Sequence, residues 1–122
     1  MFREMYLVSS LQRLLRNDAA AMDANDVLLM AVRNNAQIMN LHDSTSLAEG
    51  MLADLIVIDL FQPNMQPKND IIKNLVYAGG KQNVLLTMVN GRILYENGEY
   101  YIGRPVEEIY RKAEEIITRI AK

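Results

Sequence analysis

The spacing of apolar residues changes at residue 53, and that change limits most strongly what the chain can fold into. Before it, apolar residues recur at three- and four-residue steps, which places them on helix faces. After it, Asp54-Leu55-Ile56-Val57-Ile58-Asp59-Leu60 is a short apolar run bounded by acids. The run is too short for an ordinary helix and rich in β-branched residues, so it predicts a strand buried on both faces. Helices followed by strands within 122 residues predict a single α+β domain.

The strand region extends through a hairpin. Val84–Val89 and Arg92–Tyr95 flank Asn90-Gly91, two residues that tolerate the positive φ of a type I′ turn. Asn97-Gly98 repeats the device before Glu99-Tyr100-Tyr101-Ile102, which predicts a three-strand meander. Pro63 and Pro67 punctuate a loop between the first strand and the hairpin. Residues 70–77 read equally as a short helix or an extended segment, closed by Gly79-Gly80.

Three helices are expected outside the strands. Leu7, Val8, Leu11, Leu14 and Leu15 mark the inner face of the first, with Arg3, Arg13 and Arg16 off that stripe and Asn17-Asp18 ending it. The second begins at Asp23, which can cap the first turn, and Asp26 adds negative charge near the positive helix end. Leu28, Ala31, Val32, Asn35 and Met39 mark its inner face, and Asn40 suits its left-handed end. Residues 43–46 form a polar loop. The closing helix takes Pro105 as its first residue and Glu107 and Glu108 in its first turn. Val106, Ile109, Tyr110, Ala113, Ile116, Ile117 and Ile120 form its apolar face. The chain divides at these pattern changes into residues 1–52, 53–104 and 105–122.

Composition excludes several function classes. Thirteen basic and fifteen acidic residues give a net charge of −2 without a basic stripe, which argues against nucleic acid as a partner. No apolar run is long enough to span a bilayer, so no membrane partner is expected. The N-terminus is charged at Arg3 and Glu4 and does not read as a signal peptide. Cysteine is absent, which removes thiolate chemistry and disulfides and makes a cytoplasmic location the expectation.

His42 is the single histidine. Catalytic zinc sites draw several histidines, and a lone one in a polar loop reads as a surface residue. Asp54 and Asp59 flank a strand at a separation that puts them on opposite faces, so capping is expected rather than shared acid–base chemistry. The eight methionines read as core filler, and Tyr95, Tyr100 and Tyr101 as sheet packing. No residue of the chain is assigned a catalytic, cofactor-binding or metal-binding role.

Four segments, in colinear order, resemble the amidohydrolase superfamily. Glu49-Gly50-Met51-Leu52-Ala53-Asp54-Leu55-Ile56-Val57-Ile58-Asp59 is similar to that family's G-x-x-A-D-L-x-x-x-D signature. Thr87 to Gly98 resembles its strand–Asn-Gly–strand–Gly hairpin, and Met30 to Ala36 its M-A-T-x-N-G-A segment. Met1 to Met5 resembles the helix that follows the family's last metal-binding aspartate. Within the superfamily, the loop from Gln62 to Pro67 and the run from Asn74 to Ala78 resemble the methylthioadenosine/S-adenosylhomocysteine deaminase and chlorohydrolase-like group. Departures fall at Asn35, Asn40 and Thr45, where the family carries glycine, and at Met51 and Leu52, where it carries lysine. A β-branched Thr45 would suit a positive φ badly.

The resemblance implies the C-terminal part of such an enzyme. Its fold would comprise the terminal helices of a TIM-like barrel, the C-terminal strands of a composite β-sandwich and a closing helix. Such enzymes hydrolyse C–N bonds, here of the aminopurine or nucleoside deaminase type, with zinc or iron activating water. The family's His-x-His pair, further histidines and aspartate map onto nothing in this sequence, and Asp18, Asp23 and Asp26 do not replace them. The implied metal and small-molecule substrate therefore belong to the parent enzyme, and the isolated chain is expected to be inactive and structural. The alternative is a non-catalytic scaffold or oligomerisation module. Without strands from the rest of such a fold, the edge of the 54–60 strand is expected to be exposed and to drive self-association.

Overall fold

The computed structural model describes residues 1–121, a helical half followed by a small antiparallel sheet and a last helix. Helix α1 spans Phe2–Arg16. Helix α2 (Ala24–Leu29) runs through a π-helical turn (Met30–Asn34) into α3 (Asn35–Ile38). Strand β1 is Leu55–Ile58, and α4 (Ile71–Tyr77) precedes β2 (Val84–Val89), β3 (Arg92–Glu96) and β4 (Glu99–Tyr100). Helix α5 is Val106–Ile120.

Local chemistry accounts for the helix ends. Asp23 caps α2 by accepting from the Asn25 backbone N–H at 2.8 Å, and Asp70 caps α4 by accepting from the Lys73 N–H at 3.0 Å. That cap resolves residues 70–77 as a helix. Asn17 and Asn40 end α1 and α3 with φ of 48° and 59°, a left-handed conformation that asparagine tolerates. Thr45 sits at φ −84° and Asn35 at φ −62°, so neither departure from glycine meets a strained backbone. Pro105 is the residue before the first turn of α5 rather than its first helical residue.

The buried face of α1 reverses the expectation. Met5 (4% exposed) and Ser9 (0%) are its buried residues, joined by Phe2 at the edge of the core. Leu7, Leu11, Leu14 and Leu15 lie on the opposite side, and Leu14 and Leu15 are each 77% exposed. Arg13 is also drawn inward: its guanidinium donates to the Tyr77 hydroxyl at 2.5 Å and lies 4.8 Å from the centre of that ring. Ser9 is small enough to be fully buried where a leucine would have to displace packed neighbours. Met5, Ala24, Val27 and Val76 form the centre of this three-helix core.

The second helix also buries a different set from the one expected. Ala24, Val27 and Ala36 are buried and Leu28 and Ala31 pack at the core's rim, whereas Val32, Asn35 and Met39 are exposed. The π-helical turn is the reason. It inserts an extra residue into the winding and rotates the following face by roughly 100° from a regular helix.

The sheet has the order β1-β2-β3-β4, and every neighbour pair is antiparallel. The meander of β2, β3 and β4 is as expected, although β4 is only two residues long. Asn90 (φ 48°) and Gly91 (φ 74°) make the hairpin turn, and Asn97 and Gly98 repeat it. Strand β1 adds to β2 with Ile56 opposite Thr87. Within this chain it is not buried on both faces: Ile56 and Val57 are exposed, β1 ends the sheet, and no second layer covers it among the described residues.

Candidate functional site

The most connected polar cluster lies where the β1 strand end, the following loop, α4 and the start of β2 meet. Asn83 is fully buried. Its amide and that of Asn64 pair reciprocally, with Asn64 Nδ2 donating to Asn83 Oδ1 at 2.9 Å and Asn83 Nδ2 donating to Asn64 Oδ1 at 3.1 Å. Asn83 Oδ1 also accepts from the Gly80 N–H at 2.9 Å, and Asn64 Nδ2 donates to the Ala78 carbonyl at 2.7 Å. Asn74 Nδ2 donates to the carbonyls of Met65 and Pro67 at 3.0 and 2.8 Å. Every partner named here is an amide or a backbone group. The cluster holds a loop in place and offers neither a nucleophile nor a general base.

Asp54 and Asp59 occupy the two ends of β1 and serve as backbone anchors. Asp54 accepts from the Asn90 N–H and from Ser44 Oγ at 2.7 Å, joining the loop after α3 to the hairpin turn. Those two bonds, the Asn90 backbone donor foremost, hold its carboxyl below the ordinary value. Asp59 accepts from the Phe61 N–H at 2.8 Å and from Gln62 Nε2 at 2.9 Å, and its carboxyl is lowered chiefly by that backbone donor. The two carboxylates bond separate sets of donors at opposite ends of β1 and do not share a site.

His42 lies exposed after α3, with Nε2 2.8 Å from Asn40 Oδ1. Asp18 accepts from the Ala20 N–H in a turn, Asp23 caps α2, and Asp26 sits in the first turn of α2. Among the described residues, no three or more His, Cys, Asp or Glu side chains are grouped to hold a metal ion. The donor set of this chain therefore does not fit a divalent-metal centre: its one imidazole faces solvent and its anchored carboxylates are scattered.

A cavity of about 330 Å³ opens between α1 and the π-helical turn. Met1, Met5, Val8, Val27 and Met30 line it, and Glu4 is its one acidic group. Asn35 is the other polar side chain lining it, and its amide donates to the Ala31 carbonyl of its own helix at 3.1 Å.

Nothing in the sequence pattern joins Asn64, Asn74 and Asn83. The first lies in the loop that Pro63 and Pro67 punctuate, the second in the segment that reads equally as helix or extended, and the third just before the first hairpin strand. An asparagine next to an apolar strand was the available signal, and alone it does not say which amide it will face.

The model of the Amidohydrolase family matches residues 1–94. The 5′-deoxyadenosine deaminase of Methanosarcina mazei is 32% identical over 123 residues, covering 98% of this chain and 28% of that protein. The 5-methylthioadenosine/S-adenosylhomocysteine deaminase of Lawsonia intracellularis is 40% identical over 100 residues, covering 82% of this chain and 23% of that protein. An adenosine deaminase from Xanthomonas campestris, solved with bound zinc, superposes with a TM-score of 0.87 at 27% identity, over 99% of this chain and 28% of that one. A zinc-complexed atrazine chlorohydrolase from Arthrobacter aurescens shares the fold with a TM-score of 0.85 at 24% identity, over 96% of this chain and 26% of that one. The chain spans about a quarter of the length of the curated relatives it matches.

Proposed function

The chain belongs to the amidohydrolase family, and from that membership we propose that it is the C-terminal part of a metal-dependent amidohydrolase of the aminopurine-nucleoside deaminase type. The observation that carries this reading is the pairing of extents. Nearly the whole chain aligns with a 5′-deoxyadenosine deaminase, yet it accounts for 28% of that protein. The relatives' names supply the reaction class, hydrolysis of an exocyclic C–N bond on a purine. The zinc bound in the solved Xanthomonas campestris adenosine deaminase supports a divalent metal in the parent.

The residues of this chain do not fit that metal, so its ligands and the catalytic groups belong to other parts of the parent. The role of this chain is structural. In this reading residues 1–52 are the helical tail of the parent's barrel, residues 53–104 its share of a composite sandwich, and residues 105–122 a closing helix. The anchors at Asp54 and Asn83 serve that role by fixing how the helical half enters the sheet.

A chimera tests the proposal. The stretch of the Methanosarcina mazei enzyme that matches this chain is replaced by residues 1–122, and ammonia release from 5′-deoxyadenosine is measured. The expected result is a zinc-loaded chimera whose kcat/KM lies within about tenfold of the parent's. A folded, zinc-loaded chimera without turnover would overturn the family role assigned here. The isolated chain is expected to release no ammonia with zinc added, and stoichiometric zinc with turnover would contradict the structural role.

A further inference from the structure

Asn90-Gly91 and Asn97-Gly98 are the same dipeptide in two hairpin turns, one between β2 and β3, the other between β3 and β4. Their backbones are alike, with φ of 48° and 74° in the first pair and 46° and 99° in the second. Asparagine is a labile residue, and a following glycine adds to this because no side chain shields its amide nitrogen from the neighbouring side-chain carbonyl. The two turns differ in how that nitrogen is held. The Gly91 N–H donates to the Ala53 carbonyl at 3.1 Å, and the Asn90 N–H donates to the Asp54 carboxylate. Two consecutive residues before β1 thus clamp two consecutive amides of the first turn. In the second turn the Asn97 N–H donates to the Leu85 carbonyl at 2.8 Å, but among the described residues the Gly98 N–H meets no corresponding acceptor. Strand β4, which this turn feeds, pairs with β3 at Tyr95–Tyr100 and Glu96–Glu99, with one further bond from the Tyr101 N–H to the Leu94 carbonyl. A turn closed by so short a ladder opens locally at little cost, and opening frees asparagine to leave its left-handed conformation for ring closure.

We propose that Asn97 is a deamidation site of this chain, and that Ala53 and Asp54 guard Asn90 against the same reaction. The Gly98 nitrogen, its proton lost to hydroxide, attacks the side-chain carbonyl carbon of Asn97. A C–N bond forms and closes a five-membered imide. The bond from that carbon to Nδ2 breaks, and the amide nitrogen leaves as ammonia with a proton from water. A second water opens the imide at either carbonyl, giving an aspartyl or an isoaspartyl residue. Both products add a carboxylate between Glu96 and Glu99, and the isoaspartyl form also lengthens the main chain by a methylene where β3 turns into β4. The guard at Asn90 is built from hydrogen bonds within this chain rather than from exposure, and it stands independently of the deaminase reading.

The chain is aged at mildly alkaline pH, and the two Asn-Gly peptides are followed by mass spectrometry. Each rate is taken relative to the rate of the same peptide in urea, which removes differences in flanking sequence. On that scale Asn97 is expected to convert at least about tenfold faster than Asn90, in keeping with two hydrogen bonds at the first turn. Asp54→Ala removes one clamp and is expected to raise the Asn90 rate at least about threefold while leaving that of Asn97 unchanged. Amide exchange on the unmodified chain gives a second reading should that variant unfold, with Gly91 expected to exchange at least about tenfold more slowly than Gly98. Equal conversion of the two sites, or faster conversion at Asn90, would overturn the proposal. So would a folded Asp54→Ala chain with an unchanged Asn90 rate, or a Gly98 amide as protected as that of Gly91.

Discussion

Helices α1 and α5 are both 15 residues long, yet they stand in opposite relations to the rest of the chain. Helix α1 is apolar on two opposed sides. It buries the smaller one, built on Phe2, Met5 and Ser9, and leaves the leucine stripe outside. Helix α5 has a single, cleaner stripe and buries none of it. The amphipathic pattern therefore predicts that a helix forms far better than it predicts what its apolar side will touch. Among the described residues, α1 contributes Met5 and Phe2 to the core it shares with α2 and α4, and its leucine stripe lies outside that core.

The contrast is open to direct measurement, and core truncation should break it most visibly. Met5→Ala should cost about 2–4 kcal/mol in denaturant unfolding, the range for emptying a packed methionine site. Ile117→Ala, on the exposed stripe of α5 in dilute monomer, should change stability by less than about 0.5 kcal/mol. Equal effects at the two positions would mean that α5 is packed in solution.

The polar anchors of the helical half come next. Asn83→Ala strands the Gly80 N–H and breaks the reciprocal pair with Asn64, and should cost about 1–3 kcal/mol in the same measurement. Tyr77→Phe removes the hydroxyl acceptor of Arg13 and should cost about 1–2 kcal/mol, a test of whether that guanidinium ties α1 to α4.

Amide exchange should sharpen the comparison without any substitution. Amides of α5 in the monomer should open at close to zero free energy, and those of α2 around Val27 near the global unfolding value. Comparable protection in both helices would remove the distinction.

The smallest effect concerns acid. The folded carboxyl of Asp54 lies below its ordinary 3.8, so its contribution is fully present above that value and is lost as pH falls through the lower folded one. Unfolding scans below about pH 4 should show a shallower acid loss in Asp54→Asn than in the parent chain. An unchanged acid limb would mean that the Asn90 and Ser44 contacts do not persist in solution.

Much of this architecture was legible in the residues themselves. The Asn90-Gly91 turn, the Asp23 cap, the end of α3 at Asn40 and the strand at Leu55–Ile58 depend on neighbours within a few positions. Local backbone preference and side-chain capping decide them before any tertiary contact forms. The single histidine and the absence of cysteine were equally plain, and the structure adds that His42 faces solvent beside Asn40. The tertiary structure alone decided which side of α1 is buried, how the π-helical turn redirects the face of the second helix, and which asparagines meet around Asn83. Each of these joins groups far apart in the chain or turns on one residue's extra winding. Such choices rest on shape fit and on satisfying buried amides, which hydrophobic periodicity does not encode.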